Sequence, residues 1–484
     1  MTIKDLEPKV VWNNFYGLTQ QPRPSKHEEK VREYLLNWGK THGVGTFADE
    51  TGNVIMRLPA TKGYENRRGV ILQGHMDMVP QKTADSPHDF LKDPIQTQIV
   101  GEWVAANKTT LGADNGMGIA LGLAVAESKD LKHGPVELLF TYDEETGMTG
   151  ASNLKAGVLK GDILLNLDSE EEGELCIGCA GGLDAVATFD YRKESVSTKN
   201  SFIKVGVKGL QGGHSGMDIA LYRGNANQIL ARAIIPCIEK FGAKLCNFTG
   251  GSLRNAIPFE AEAVLSVPAA KEKSVKNTLK RYLEEAKSRY AESDPGMEYF
   301  WTKEKAQAKC IGTEVALSAL KAIVACPSGV IRMSQSMEGL TETSINLAIV
   351  RCENGRIKIA SLLRSAVDSS KADLALRVKY IFEMAGAKVK FVGGYSGWVP
   401  RPNLPIIKVL LDTYKKKFGK NMKICATHGG LECALMGATY PNWEMVSMGP
   451  TVVHPHSPDE RVKIESVGKV WEYLKAVLEV IPCK

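Results

Sequence analysis

"GPVELLFTYDEETG", residues 134–147, joins a short apolar run to three consecutive carboxylates and a glycine turn. Two other segments also join a short apolar run to polar and charged residues: "GVILQGHMDMV" at 69–79 and "GDILLNLDSE" at 161–170. Short, nearly continuous apolar runs are typical of strands buried on both faces of a parallel sheet. A helical pattern, "ADNGMGIALGLAVAES" at 113–128, lies between such strands, so the order of elements predicts an α/β fold.

The middle of the chain has a different pattern. Its strands alternate apolar and polar residues, as in "SFIKVGVKGLQ" at 201–211, which predicts a sheet with one solvated face. The first pattern returns after the proline-rich stretch "GYSGWVPRPNLP", residues 394–405. We therefore expect a mainly parallel-sheet α/β domain formed by 1–184 and 392–484, with an α+β domain of two successive units, 185–391, inserted into it.

Composition and charge exclude several classes of protein. The chain has 484 residues and is 43% hydrophobic and 24% charged, which is ordinary for a globular protein and too long for one core. The net charge of +6 is mild and the basic residues are scattered, so no nucleic-acid partner is expected. The longest apolar stretch, near "GIALGLAVA", is too short to span a membrane. The start, "MTIKDLEPKVVW", does not have the form of a signal peptide, and we expect a cytoplasmic protein.

The ten cysteines are widely spaced except for Cys176 and Cys179. A redox pair of this spacing would lie beside a helix N-terminus, and a zinc knuckle would have a second pair at a matching interval. Neither feature accompanies this pair, so we expect reduced thiols without a functional role.

Six residues are candidate metal ligands. They are His75, Asp114, Glu144, Glu145, Asp168 and His456. All but the last lie at the end of a predicted strand or in the loop after it, and the last lies in a loop near the C-terminus. Each motif alone has an ordinary explanation, since acidic pairs at turns are usually solvated and Asp-Asn-Gly is a turn signal. Taken together and in order, they favour a site, because strand ends distant in sequence meet at one edge of a parallel sheet. Histidine and carboxylate ligands without thiolate suit zinc, manganese or cobalt.

The whole sequence resembles the M20 metallopeptidases, and within them the aminoacyl-histidine dipeptidases, also called Xaa-His dipeptidases. The motifs that carry the resemblance are "GHMDMV" (74–79), "LGADNGMG" (111–118), "DEETGMTGA" (143–151), "NLDSEEEGE" (166–174), "GCAGG" (178–182), "GGHSG" (212–216) and "PHSPDE" (455–460). The resemblance implies a catalytic domain of zinc-peptidase-like fold, 1–184 and 392–484. It also implies an inserted lid domain, 185–391, that closes over a small peptide substrate.

The resemblance also implies a site for two Zn²⁺ ions, in which Mn²⁺ or Co²⁺ are the alternatives. Asp114 would bridge the two ions, with His75 and Asp168 completing one site and Glu145 and His456 the other. In family members the peptide bond after the bridging aspartate tends to be cis.

Two further acidic residues receive catalytic roles from the resemblance. Asp77 would hydrogen-bond His75 and fix its tautomer. Glu144 would be the general base that activates a metal-bridged water. We expect an extended segment here, in which adjacent side chains point to opposite sides, so that Glu145 binds metal while Glu144 faces the water.

Substrate contacts are implied at several loops. His214 would stabilise the oxyanion, from its own lid or from a partner chain. Asn255, in "RNAIPFEAE", would hydrogen-bond the substrate, and Arg364 would bind its C-terminal carboxylate, although the aspartate-containing family form before that arginine is absent here. Gly430 and Glu432, in "THGGLECALMG", would line the pocket, with Glu432 meeting an amine; tight strand-to-helix packing explains the glycine equally well.

The resulting hypothesis is a cytoplasmic zinc dipeptidase that hydrolyses Xaa-His dipeptides, β-alanyl-histidine included. One alternative is another M20 hydrolase with the same metal site, either an N-acyl amino acid deacylase or a general aminopeptidase. A second is a catalytically inactive metal-binding relative, against which the presence of Glu144, Asp77 and every ligand argues. A nucleotide site is not expected, since no Gly-x-Gly-x-x-Gly follows the first strand. Family members often pair through the lid, so a homodimer remains open.

Overall fold

A computed structural model describes residues 2–197 and 199–484. The chain forms two compact units. Unit 1 comprises the residues up to Gly178 together with Pro400–Ala426 and Leu431–Lys484, and unit 2 comprises Cys179–Val399 and Thr427–Gly430. The sequence pattern groups 427–430 with the C-terminal part of the first domain, whereas these four residues cluster with unit 2. The role of unit 2 as a lid remains a prediction.

The helices and strands of the described residues are numbered in chain order. The helices are α1 (Lys9–Thr19), α2 (Glu29–His42), α3 (Ala113–Glu127), α4 (Glu144–Gly147), α5 (Thr149–Ser152), α6 (Ala226–Phe241), α7 (Glu272–Arg289), α8 (Thr313–Ala325), α9 (Asp368–Met384), α10 (Pro405–Phe418), α11 (Glu432–Thr439) and α12 (Ile464–Val480). The strands are β1 (Gly45–Ala48), β2 (Val54–Leu58), β3 (Val70–His75), β4 (Thr97–Val100), β5 (Trp103–Ala106), β6 (Val136–Thr141), β7 (Ile163–Asn166), β8 (Glu174–Cys179), β9 (Gly181–Asp190), β10 (Lys193–Ser195), β11 (Ser201–Lys208), β12 (Lys244–Gly250), β13 (Ala261–Val267), β14 (Glu298–Lys303), β15 (Lys309–Ile311), β16 (Gly329–Met333), β17 (Thr341–Glu353), β18 (Arg356–Ser365), β19 (Lys388–Tyr395), β20 (Lys423–Thr427), β21 (Glu444–Ser447), β22 (Val452–Val453) and β23 (Arg461–Lys463).

The large sheet of unit 1 has eight strands in the order β1-β2-β6-β3-β7-β21-β8-β20. Strands β6, β3, β7 and β21 run parallel, while β1 and β2 pair antiparallel at one edge and β8 pairs antiparallel with β21. The sheet is therefore mixed, with the predicted parallel strands at its centre. Every residue of β3 and β6 is buried, which explains their nearly continuous apolar runs.

The burial of helix α3 explains why the segment after Asp114 is apolar and rich in glycine. Nearly all of its residues are buried, so no polar face is needed. At Gly118, a Cβ atom would lie 2.7 Å from the backbone oxygen of Leu167, so only glycine permits this approach to the segment after β7. The helix is not regular at its start: Asp114 and Asn115 have non-helical dihedral angles, and the peptide bond between them is cis.

Unit 2 contains a nine-stranded antiparallel sheet with the path β14-β11-β13-β12-β17-β18-β9-β19, to which β16 adds by pairing with β17. The two α+β units expected from the sequence share this one sheet, since β12 pairs with β17. The tight turn between β17 and β18 has positive φ at Asn354 and Gly355, the conformation for which Asn-Gly is typical. Helices α6 to α9 and one face of this sheet together supply the apolar side chains of the core of this unit.

The cysteines differ in part from the expectation of reduced thiols. Cys246 of β12 and Cys310 of β15 form a disulfide inside unit 2. Cys176 and Cys179, the pair singled out in the sequence, are buried on β8 and form no disulfide with each other. Within the described residues, no helix combines the length and the apolar character that crossing a bilayer requires.

Candidate metal centre

Strand ends of unit 1 bring the predicted ligands together. His75 is the last residue of β3, Glu145 lies in α4, four residues after the end of β6, and Asp168 lies two residues beyond β7. Because β3 is parallel to β6 and to β7, these three ends lie at one edge of the sheet. Asp114, at the start of α3, and His456, between β22 and β23, approach the same point.

The side chains form two groups around a shared carboxylate. The Nε2 atom of His75 lies 2.9 Å from Oδ1 of Asp114 and 3.4 Å from Oδ1 of Asp168. The Nε2 atom of His456 lies 3.1 Å from Oδ2 of Asp114 and 3.0 Å from Oε2 of Glu145. Each oxygen of Asp114 thus faces its own histidine–carboxylate pair, which is the donor arrangement that two bridged metal ions require.

The chemistry of these donors fits a cation. Among the described residues, Oε1 of Glu145 is buried and has no hydrogen-bond partner, and Oδ1 of Asp168 is buried with only the 3.4 Å contact to His75. Burial, opposed by His75 and assisted by the neighbouring Asp114 and Glu145 carboxylates, raises the pKa of Asp168 to about 6. Buried anions at this density are unfavourable unless positive charge compensates them.

Asp77 is placed to orient His75 as a metal ligand. Its Nδ1 atom lies 3.2 Å from Oδ1 of Asp77, and both side chains are buried. When Nδ1 donates its proton to Asp77, the lone pair of Nε2 is directed toward Asp114. The structure thus places the predicted orienting residue against the predicted ligand.

The Glu144–Glu145 segment is a helical turn, α4, and the expectation of an extended segment is wrong. Asp143 has a φ of 54°, and the chain turns there into α4. Both oxygens of Asp77 accept backbone N–H groups at the start of this turn, from Glu144 at 2.9 Å and from Glu145 at 3.1 Å. Successive residues of a helix point about 100° apart, so the two glutamates still diverge.

Burial raises the pKa of Glu144 well above its ordinary value. His75 opposes this effect, and the carboxylates of Asp168, Glu432 and Glu145 add to it. A carboxyl group whose environment strongly affects its proton affinity is suited to acid–base chemistry.

Three buried charged residues that were not expected from the sequence support these loops. Arg23 and Glu460 bind the backbone around Asp114, and Oε1 of Glu28 accepts the N–H of Asp143 at 3.1 Å. Glu460 lies in "PHSPDE", so its motif was visible although its partners were not. Arg23 and Glu28 lie in a segment without any pattern that signals a site.

The sequence matches the model of peptidase family M20/M25/M40 over residues 71–480. The chain belongs to peptidase family M20. This M20 peptidase is 42% identical to the cytosol non-specific dipeptidase of Escherichia coli over 482 residues, which are 100% of this chain and 99% of that protein. It is 44% identical to the aminoacylhistidine dipeptidase of Vibrio alginolyticus, whose crystal structure it matches with a TM-score of 0.93 over 100% of this chain and 99% of that one. The aminopeptidase PepT structure from Bacillus cereus shares the fold, with a TM-score of 0.57 at 17% identity over 98% of each chain.

Unit 2 of the M20 peptidase gathers three of the predicted substrate contacts. The N–H of Ser215 donates to the backbone oxygen of Asn255 at 2.8 Å, which joins the two loops, and Nε of Arg364 donates to Oγ of Ser215 at 3.3 Å. Arg364 is only 5% exposed, whereas the Asn255 side chain is exposed. Burial lowers the pKa of His214, and the charge of Arg364 is the next largest cause.

The tautomer of His214 follows from its own backbone. Its Nδ1 atom accepts the N–H groups of Gly216 at 3.3 Å and of Met217 at 3.2 Å. The proton of the neutral ring therefore lies on Nε2, which makes Nε2 a hydrogen-bond donor.

His428 of unit 2 was not singled out in the sequence. It is 5% exposed, and its Nε2 atom lies 2.7 Å from Oγ of Ser344. Burial lowers the pKa of His428 to about 3, with Arg364 contributing, so this ring is neutral. Gly430 lies two residues further on and is partly buried.

Glu432 lies in the interior of unit 1, where it is 0% exposed, and does not line an open pocket. Its Oε2 atom accepts from Nε2 of Gln73 and from Oγ1 of Thr141, each at 2.7 Å. Burial raises the pKa of Glu432 to about 7. Among the described residues, the Oε1 atom has no hydrogen-bond partner.

Proposed function

We propose that this M20 peptidase is a metal-dependent dipeptidase of Xaa-His dipeptides, β-alanyl-histidine included. The observation that carries the proposal is the placement of His75 and His456 at opposite oxygens of Asp114. The similarity to an aminoacylhistidine dipeptidase supports the preference for histidine, while the name of the Escherichia coli relative supports a broader range of dipeptides. That relative is named as cytosolic, which supports a cytoplasmic location.

Two Zn²⁺ ions, or Mn²⁺ or Co²⁺ in their place, would be held by the two donor groups that share Asp114. When bound, such a pair lowers the pKa of water and polarises the scissile carbonyl group. His75 and Asp168 would bind one ion, and Glu145 and His456 the other. The His456 side chain is 52% exposed while that of His75 is 1% exposed, so the second position is the one that solvent and substrate reach.

Glu144 is the general base of the proposed reaction. Its carboxylate takes a proton from the attacking water and gives it to the leaving amine. The bonds from its own N–H and that of Glu145 to Asp77 fix the position of this turn. Because Asp77 also orients His75, one buried carboxylate positions both the ligand and the base.

The unit 2 residues are proposed to bind the substrate. His214 offers an Nε2–H group, the type of donor that stabilises a tetrahedral oxyanion, from its own chain or from a partner in a homodimer. Arg364 is proposed to bind the C-terminal carboxylate, for which a planar guanidinium is well suited. Asn255 and Gly430 are also proposed to contact the peptide. Glu432, in the interior of unit 1, is proposed to act by raising the pKa of the Glu144 carboxyl group. It is not proposed to contact the substrate amine.

The test is hydrolysis by protein that has been stripped of metal and reloaded with zinc, manganese or cobalt. The substrates are β-Ala-His, Gly-His, Ala-Ala and an N-acetyl amino acid. We expect metal-dependent cleavage of the histidine dipeptides, its loss in a Glu144→Ala variant, and unchanged rates in Glu50→Gln, which alters an exposed carboxylate. Preference for the acetylated substrate would indicate a deacylase, and equal rates on Ala-Ala a general peptidase. Inertness of the reloaded enzyme on every substrate would favour an inactive relative.

A further inference from the structure

The backbone that leads into Asp114 is bound by a carboxylate distant in sequence. Oε2 of Glu460 accepts the N–H groups of Leu111 at 2.8 Å and Gly112 at 3.0 Å. Oε1 accepts those of Ala113 at 2.7 Å and Asp114 at 3.2 Å. Four successive amides thus converge on one side chain that is 2% exposed. Of the protein side chains, only a carboxylate has enough acceptor sites and no donor, so the pattern is specific for Glu460 in its ionised form.

Arg23 holds the carbonyl side of the same loop. Its Nη1 atom donates to the backbone oxygens of Met76 at 2.9 Å and Asp77 at 3.0 Å, and its Nη2 atom donates to the oxygen of Gly112. The arginine therefore ties the segment after β3 to the loop before α3. It is 2% exposed, and among the carboxylates Glu460 contributes most to stabilising its buried charge.

Gly112 shows how closely this loop is enclosed. Its φ is +70°, and a Cβ atom there would lie 2.6 Å from Nη2 of Arg23 and 2.8 Å from Sδ of Met78. Any larger residue would displace the arginine, the methionine or the loop itself. The loop is thus constrained by its own conformation and by side chains on both of its hydrogen-bonding sides.

We infer that Glu460 is a positioning residue whose carboxylate fixes the Asp114 backbone, so that the two Asp114 oxygens face His75 and His456 before any ion binds. Both Glu460 oxygens are occupied by amides, so Glu460 itself is not a metal ligand. Hydrogen bonds to an ionised acceptor are about twice as strong as neutral ones, which suits the residue to holding a loop against the repulsion of nearby carboxylates. The inference rests on the proposed metal pair.

The test titrates metal-free protein with Co²⁺ and follows the number of ions bound, their affinities and the exchange coupling between them by electron paramagnetic resonance. In Glu460→Gln, one oxygen is replaced by an NH₂ group that faces N–H donors. We expect the second Co²⁺ to bind about tenfold or more weakly and the coupling to be lost, as is typical when residues that orient ligands are changed. Glu460→Asp should restore part of both signals. Asp459→Asn, a change at the exposed neighbouring carboxylate, should match the wild type.

Thermal unfolding of the same metal-free variants separates positioning from stability. If Glu460→Gln melts earlier but binds two coupled Co²⁺ ions with wild-type affinity, the role is only structural and the inference is wrong. If that variant does not fold, Glu460→Asp decides by the same criterion: coupling and affinity equal to the wild type overturn the inference, and weakened coupling supports it. Absence of coupling in the wild type would overturn the metal pair itself, and the inference with it.

Discussion

The Nε2 atom of His75 lies 2.9 Å from Oδ1 of Asp114, and the second oxygen of this carboxylate faces another histidine. A neutral amide at position 114 offers only one oxygen and no charge. We predict that Asp114→Asn lowers the metal content from two ions per chain to one or none and lowers kcat about 100-fold or more. Elemental analysis of the dialysed variant, together with kcat at saturating Zn²⁺, checks this. Two retained ions and an unchanged kcat would contradict the bridging role.

Glu144 can be tested without removing a ligand. We predict that Glu144→Gln lowers kcat by about 10²–10⁴ with little change in KM or metal content, because the amide cannot accept the proton of water. The Glu50→Gln variant, with a change at a side chain that is 84% exposed, serves as the control for loss of a carboxylate. Loss of metal together with loss of rate would instead show that Glu144 is needed to bind the ions.

The tautomer of His214 leads to a prediction about donors. Replacement by alanine removes the Nε2–H group and should lower kcat about 100-fold, the typical effect of removing one oxyanion donor, while metal content stays intact. His214→Gln keeps an N–H donor on a chain of similar reach and should recover part of the rate. Steady-state kinetics of both variants, with metal analysis as the control, decide the matter; an unchanged kcat in the alanine variant would exclude the role.

Glu28, which accepts the backbone N–H of Asp143, provides a pH-dependent test of how the loop before Glu144 is held. The residue is 0% exposed, and burial, together with the charge of Asp77, raises the pKa of Glu28 to about 7. In the unfolded chain the pKa of a glutamate is about 4.3. At pH values between these two pKa values, the folded state therefore binds the proton more tightly than the unfolded state does. The stability that this group contributes is full below the unfolded value and is lost as pH rises through about 7.

Glu28→Gln removes this titration. We therefore predict that the free energy of unfolding of the metal-free variant, relative to that of the wild type, increases by about 1–2 kcal/mol as the pH is raised from about 5 to about 8. This figure allows for solvent screening. Urea unfolding of both proteins at the two pH values measures the difference, and Glu50→Gln should show none. An equal difference at both pH values would mean that Glu28 does not change its protonation in this range.

The strands that carry the site could be predicted because their signal is local. In β3, β6 and β7 the apolar run and the polar residues after it lie within a few positions of each other, and parallel pairing then brings their ends together. The turn at Glu144 could not be predicted, since four residues are too few to show a helical period. Its conformation depends instead on Asp77, from the segment after β3.

The residues that were missed have a common physical cause. Arg23, Glu28 and Glu460 bind backbone groups of distant segments, and a backbone partner leaves no trace in the residue type at its position. The single sheet of unit 2 was missed for a similar reason. An alternating pattern identifies a strand, but not its neighbour, and β12 and β17 are joined by only two residue pairs.

The loop before Asp114 is held by Arg23, which is synthesised early, and by Glu460, which is synthesised more than 400 residues later. During translation the arginine and the Asp114 loop leave the ribosome long before their carboxylate partner. A nascent chain that ends before Glu460 therefore lacks the carboxylate that accepts the four amides leading into Asp114. If Asp114 bridges two ions as proposed, the metal centre would form only after Glu460 and His456 have been synthesised.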